Sequence, residues 1–132
     1  MKDTISVVQQ DNREKLFVSW QDITQYVNLL AQKIKESKIK FENIYGIPRG
    51  GLIVAVMLSH KLNLPVVTST KYLLIRKSII TDDIEDSGRT IRKFNKYCHK
   101  YCLISKLGSQ SNCRYAKDCD KNKWVIFPYE EQ

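Results

Sequence analysis

The stretch "TDDIEDSGRT", Thr81–Thr90, packs four carboxylates, two hydroxyl side chains around a glycine, and an arginine into one short segment. Neighbouring carboxylates such as Asp82 and Asp83 accept hydrogen bonds from vicinal hydroxyls and assist a hard cation such as Mg²⁺. The residues after them suit an anion. Gly88 lets the backbone curl close to a ligand. Successive N–H groups with the hydroxyls of Ser87 and Thr90 then form a nest at a helix start. One turn thus offers a grip for a diol and a metal beside a cradle for a phosphate, a pairing that suits a ribose 5-phosphate. A polar loop ending in a helix cap would use some of the same residues, but not the whole ordered set.

A second stretch is "GIPRGG", Gly46–Gly51. Arg49 is a cation placed beside two glycines whose backbone N–H groups can face an anion at a helix N-terminus. Taken alone it reads as an ordinary glycine turn.

The elements that must hold these turns follow from periodicity. "SWQDITQYVNLLAQKIKES" repeats its apolar residues at helical spacing, with Ser19 as N-cap and Asp22 completing a capping box. "FENIYGI" (41–47) reads as a strand, "GLIVAVMLSHKL" as a helix apolar nearly all round and buried, and "LPVVTST" as a β-branched strand. "KSIITD" is a further strand, "GRTIRKFNKYC" the helix after it, and "YCLISKL" a strand. "GSQSNCRYAKDCDKNK" reads as a polar connection and "WVIFPYE" as an extended close. Strands alternating with helices predict an α/β domain with a largely parallel sheet. Both chemical turns fall at carboxyl ends of strands, where such sheets bind ligands.

The chain has 132 residues and is read as a single domain over 1–132. Lys and Arg number 22 against 14 Asp and Glu, a net charge of +8, which favours anionic partners. No long basic block marks a nucleic-acid site. The N-terminal "MKDTISVVQQDNREK" lacks the apolar stretch of a signal peptide, and no apolar run reaches membrane-spanning length, so a cytoplasmic location is expected. Cys98, Cys102, Cys113 and Cys119 are spaced C-x3-C and C-x5-C, unlike a zinc ribbon, even with His99 nearby. Reduced, partly buried thiols are expected, with Cys102 in the core.

"IITDDIEDSGRTI" resembles the phosphoribosyl-diphosphate (PRPP) motif of the type I phosphoribosyltransferases, with Ser87 where Thr is commoner. "GIPRGGLIVAVMLSHKLNLPV" is similar to that family's pyrophosphate loop and following helix. "ISKLG" and "KWVIFPYE" look like the purine-reading segments of the bacterial xanthine-guanine (6-oxopurine) members. The match spans roughly residues 41–130.

The resemblance implies an α/β fold with a mainly parallel sheet flanked by helices and a small C-terminal hood. It implies transfer of the phosphoribosyl group from PRPP to guanine, xanthine or hypoxanthine with Mg²⁺, in a homo-oligomer, a dimer or tetramer. PRPP would be held by Arg49, Gly50, Gly51, Asp82, Asp83, Asp86, Ser87, Gly88, Arg89 and Thr90, with Asp83 on the metal. Lys106, Trp124 and Val125 would select the purine, and Asp86 would be the catalytic base. A non-proline cis peptide is expected between Pro48 and Arg49.

One departure stands out. Most catalytic members carry a long lid between the second and third core strands. Here only "TKYLLIRK", 70–77, fills that place, with Lys71, Arg76 and Lys77 as cations that could meet pyrophosphate. Its shortness leaves three readings open: cover by the C-terminal segment or a neighbouring subunit, a slow enzyme, or a PRPP- or nucleotide-binding regulator without turnover, able to use its basic surface on RNA. A zinc-stabilised module is a further alternative.

Overall fold

The central strand explains the placement of everything else. "SIITDDIE" is buried on nearly every residue, which a strand in the middle of a parallel sheet must be, since both its faces are covered. The computed structural model describes residues 12–130; the expected absence of a signal sequence concerns residues that lie largely outside this range.

In chain order the elements are β1 (Lys15–Phe17), α1 (Trp20–Glu36), β2 (Asn43–Gly46), α2 (Gly50–Leu62), β3 (Val66–Val67), β4 (Ser78–Glu85), α3 (Arg89–Arg92), β5 (His99–Ser105), β6 (Arg114–Asp118) and β7 (Trp124–Ile126). Five strands form an all-parallel sheet in the order β3-β2-β4-β5-β6. β1 and β7 form a separate parallel pair, so the small hood joins the N-terminal segment to the C-terminal one.

α1 begins as its sequence dictates. The Ser19 hydroxyl accepts from the Asp22 N–H at 3.0 Å, and the Asp22 carboxylate accepts from the Ser19 N–H at 2.9 Å. Its buried face is Ile23, Val27, Leu30, Ala31 and Ile34. α2 buries Gly51, Val54, Ala55 and Leu58 against the sheet. The expectation of burial all round fails for α2, because Val56 is 48% exposed: only one face meets the sheet.

Three further expectations change. The helix after the acidic turn covers only Arg89–Arg92. Beyond it the chain continues in tight turns, with Phe94 N–H donating to Ile91 O and Tyr97 N–H to Phe94 O. Phe94 packs on Tyr45 and on Tyr97, which fixes those turns against the sheet. The polar connection holds edge strand β6, and β1 joins the hood. Among the described residues no helix is long and apolar enough to cross a membrane.

Candidate functional site

β2, β4 and β5 end side by side, and their register decides which residues meet. Gly46 lies opposite Thr81, and Glu85 opposite Ser105. The turn Ile47–Arg49 therefore sits beside Asp82 and Asp83. Lys106 follows Ser105 and so lands beside Asp86: its Nζ lies 3.5 Å from Asp86 Oδ1. Residues twenty apart in sequence become neighbours through strand pairing alone.

The Pro48–Arg49 peptide is cis, as expected. α2 starts immediately after it. Gly50 is needed there, because a Cβ would fall 1.8 Å from Asp83 Oδ2. Gly51 does a different job from the one expected. Its N–H donates to Ile47 O at 2.9 Å, and its carbonyl accepts from the Thr81 hydroxyl at 3.1 Å. A Cβ at Gly51 would lie 2.5 Å from Thr81 O. Gly51 is thus a close-packing point between α2 and β4, with its N–H already committed and not offered to an anion.

Asp82 and Asp83 lie within β4, which runs on to Glu85. Asp82 is 9% exposed, and its Oδ1 accepts from the Asp83 N–H at 2.8 Å. Burial, then the adjacent charge of Asp83, pushes its carboxyl up to about 8. Asp83 Oδ2 accepts from the Tyr129 hydroxyl at 2.6 Å. Burial and the Asp83 charge push the Tyr129 phenol well above its usual value.

Glu85 is a structural acid. It accepts from Ser105 Oγ at 2.7 Å, Ser111 Oγ at 2.5 Å and Asn112 N–H at 2.7 Å. Burial pushes its carboxyl up, but the bonds from Ser111, Ser105, Asn112 and Cys113 outweigh that and hold it below the usual range.

After Glu85 the chain turns through exposed Asp86 and Ser87 to Gly88, whose φ of 81° suits glycine. Ser87 Oγ accepts from the Arg89 N–H at 3.3 Å, and Arg92 Nη1 donates to Ser87 O at 3.2 Å. Arg89 and Thr90 are exposed at the rim.

Three cavities meet here. One of about 740 Å³ is lined by Arg49, Gly50, Ile53, Asp83, Tyr129 and Glu130. A second of about 270 Å³ runs from Pro48–Gly50 along Asp82–Ile91. The third, about 310 Å³, includes Asp83, Asp86, Lys106, Trp124, Val125 and Phe127 in its wall. Asp83 lines all three.

In the third cavity the Lys106 side chain is 1% exposed and donates to Lys123 O at 2.6 Å. Trp124 is half-buried, with Lys15 Nζ 5.0 Å and Arg13 Cζ 6.0 Å from its ring centre. The Trp124 N–H donates to Glu14 O, and Ile126 O accepts from the Val18 N–H. Alternation along the β1-β7 ladder then turns the Val125 backbone the other way.

The lid stub lies elsewhere. By Tyr72 the chain has returned to the amino end of β2, where Asn43 Nδ2 donates to Tyr72 O at 3.1 Å. Lys77 pairs with Glu42 at 3.7 Å, and Lys71 Nζ sits over the Tyr72 ring, 5.1 Å from its centre. Lys71, Arg76 and Lys77 line none of the three cavities. Sequence reading missed Arg13, Phe127, Tyr129 and Glu130 as wall residues. For Tyr129 a signal existed in the Pro-aromatic-acid order; Arg13 lies in a segment with no readable pattern.

The arrangement can be set beside known proteins. No family model matches the chain. A purine phosphoribosyltransferase from Pyrococcus horikoshii superposes with a TM-score of 0.73 at 29% identity, over 90% of this chain and 96% of that one. The chain has the type I phosphoribosyltransferase fold. It also resembles that family in sequence. A xanthine-guanine phosphoribosyltransferase from Idiomarina loihiensis is 23% identical over 144 residues, covering 90% of this chain and 88% of the relative. A hypothetical protein from Neisseria gonorrhoeae with bound ppGpp shares the phosphoribosyltransferase fold, with a TM-score of 0.73 at 19% identity, over 92% of each chain.

Proposed function

We propose that this protein is a purine phosphoribosyltransferase that joins PRPP to a 6-oxopurine, giving the nucleoside monophosphate and pyrophosphate. The observation that carries the reading is the position of Asp83, shared by three cavities whose walls suit three parts of the reacting pair. Arg49 and the Gly50 turn suit the pyrophosphate. Asp82 and Asp83 suit the ribose hydroxyls, and the curled backbone of Asp86–Thr90 suits the 5-phosphate. Lys106 suits the exocyclic oxygen of the purine, Trp124 its face, and the Val125 backbone its edge.

Asp82 and Asp83 are hard oxygen donors at the cavity junction, a set that fits Mg²⁺, with Asp83 the more accessible ligand. Bound there, the ion would neutralise charge on the leaving pyrophosphate. The reaction forms a bond from purine N9 to the anomeric carbon as the bond to pyrophosphate breaks. Asp86 takes the proton that the purine loses, and it stands at the edge of the purine cavity for that purpose.

A cationic ribosyl centre must be shielded from water. With the stub at the far end of β2, cover falls to the segment Phe127–Glu130, which reaches across to Asp83 through Tyr129. The named relatives act on purines, which agrees with the cavity holding Lys106 and Trp124. The gonococcal neighbour was solved with bound ppGpp, which supports a second reading, a binding role without turnover, favoured also by the displaced stub. Release of pyrophosphate from PRPP, measured with guanine, xanthine and hypoxanthine in turn, separates the two. The enzyme reading expects base-dependent release with at least one of them. Binding of PRPP with no release for any base would leave the regulator.

A further inference from the structure

Behind the phosphate loop lies a pair of thiols that the proposed reaction does not use. Cys102 is fully buried on β5, and Cys113 is half-buried one residue before β6. Their sulfurs are 2.9 Å apart. The two strands pair in parallel with Cys102 opposite Tyr115, so Cys113 sits diagonally across from it. The connection between them, residues 106–113, contains no α-helix, only a 3-10 turn at Gly108–Gln110. Glu85 completes the cluster, with Cys113 Sγ 3.4 Å from its Oε1.

We infer that Cys102 and Cys113 are a dithiol site that closes reversibly to a disulfide when the protein meets a small-molecule disulfide. One sulfur comes from β5 and the other from the residue just before β6, and their contact meets the demand that bridged cysteines be close with side chains directed at one another. Access assigns the roles. The half-buried Cys113 thiolate attacks one sulfur of the small disulfide, forming a mixed disulfide and releasing the first small thiol. The Cys102 sulfur then attacks Cys113 Sγ, forms the internal bond and releases the second. Two electrons pass from the cysteine pair to the small disulfide, and the two cysteine protons end, by way of solvent, on the two small thiols it yields. Closure removes the Cys113 S–H from Glu85.

A metal is the competing use, since Glu85, Cys102 and Cys113 hold their ligand atoms within 4.8 Å of one another. The Glu85 carboxylate, however, is already engaged by Ser105, Ser111 and both nitrogens of Asn112. A cation would have to displace those donors.

The test uses the native protein, oxidised glutathione and tryptic mapping. The four cysteines fall on separate tryptic peptides, 97–100, 101–106, 107–114 and 118–121. The expected result is a crosslink of 101–106 to 107–114, reversed by dithiothreitol. In a C98S/C119S variant both remaining thiols should be lost together. Adding C113S to that variant should prevent the crosslink. Crosslinks that are absent, or that join other peptides equally, overturn the inference. So does one equivalent of zinc that survives dialysis and blocks thiol loss. Where the C98S/C119S variant does not fold, the native peptide map decides.

Discussion

Tyr129 donates its hydroxyl to Asp83 Oδ2 at 2.6 Å, so the C-terminal segment is latched onto the end of the central strand. The same hydroxyl blocks one oxygen of the carboxylate that the proposed ribose and Mg²⁺ need. Ligand binding must break this bond. A hydrogen bond to a charged group contributes about 1.5–3 kcal/mol, less where water reaches it. Tyr129→Phe should therefore tighten binding of Mg²⁺ and PRPP by about three- to tenfold, each tenfold being about 1.4 kcal/mol. Calorimetric titration checks this. Weaker binding would make Tyr129 a ligand contact and not a latch.

Asp82 gives a pH signature. Its folded carboxyl is pushed up to about 8, above the roughly 3.9 of an unfolded Asp. The folded state therefore holds more protons than the unfolded state between these values, and this group's contribution to stability declines as pH rises from about 4 to 8. Asp82→Asn should flatten that decline and raise the melting temperature of the ligand-free protein at pH 8. Binding of Mg²⁺ and PRPP at pH 7 should release close to one proton, measured by calorimetry in buffers of different ionisation enthalpy. The release should vanish in the Asn variant.

Gly50 and Asp83 cannot both keep their places if Gly50 gains a methyl group, since its Cβ would meet Asp83 Oδ2 at 1.8 Å. Gly50→Ala should weaken PRPP binding more than tenfold while the fold survives, because Ala favours the helix by about 1 kcal/mol. Thermal melting beside a PRPP titration separates the two effects.

Asp86 and Lys106 should fail differently. Asp86→Asn should lower kcat by about 10²–10⁴, the usual worth of a general base, with little change in PRPP affinity. Lys106→Met leaves the Lys123 carbonyl without its donor and should raise KM for the purine by about tenfold or more. Steady-state kinetics with each substrate varied in turn reads both. Equal losses in kcat and PRPP affinity for Asp86→Asn count against the base role.

What was legible in the sequence was local. The capping box of α1 is written in Ser19 and Asp22, and β4 in the β-branched run Ile79–Thr81 before its acids. The turns at Arg49 and Gly88 are marked by glycine and by the charges beside it. What escaped depends on partners far along the chain. β1 is three residues whose partner, β7, lies near the other end. β6 is an edge strand with both ends exposed, so its residues show no apolar alternation. The short α3 reads as a longer helix until Phe94 and Tyr97 are seen turning onto Tyr45 and each other. Gly51 looks identical to Gly50 in sequence, and only the approach of α2 to Thr81 separates a packing glycine from one that makes room for Asp83.

The most direct test is a crystal structure with guanosine monophosphate and Mg²⁺. The proposed function predicts the phosphate on the backbone of Ser87–Thr90, the ribose hydroxyls on Asp82 and Asp83, and the base against Trp124 with its 6-oxygen on Lys106. A nucleotide bound elsewhere, or reversed with its base in the Ser87–Thr90 turn, would contradict it.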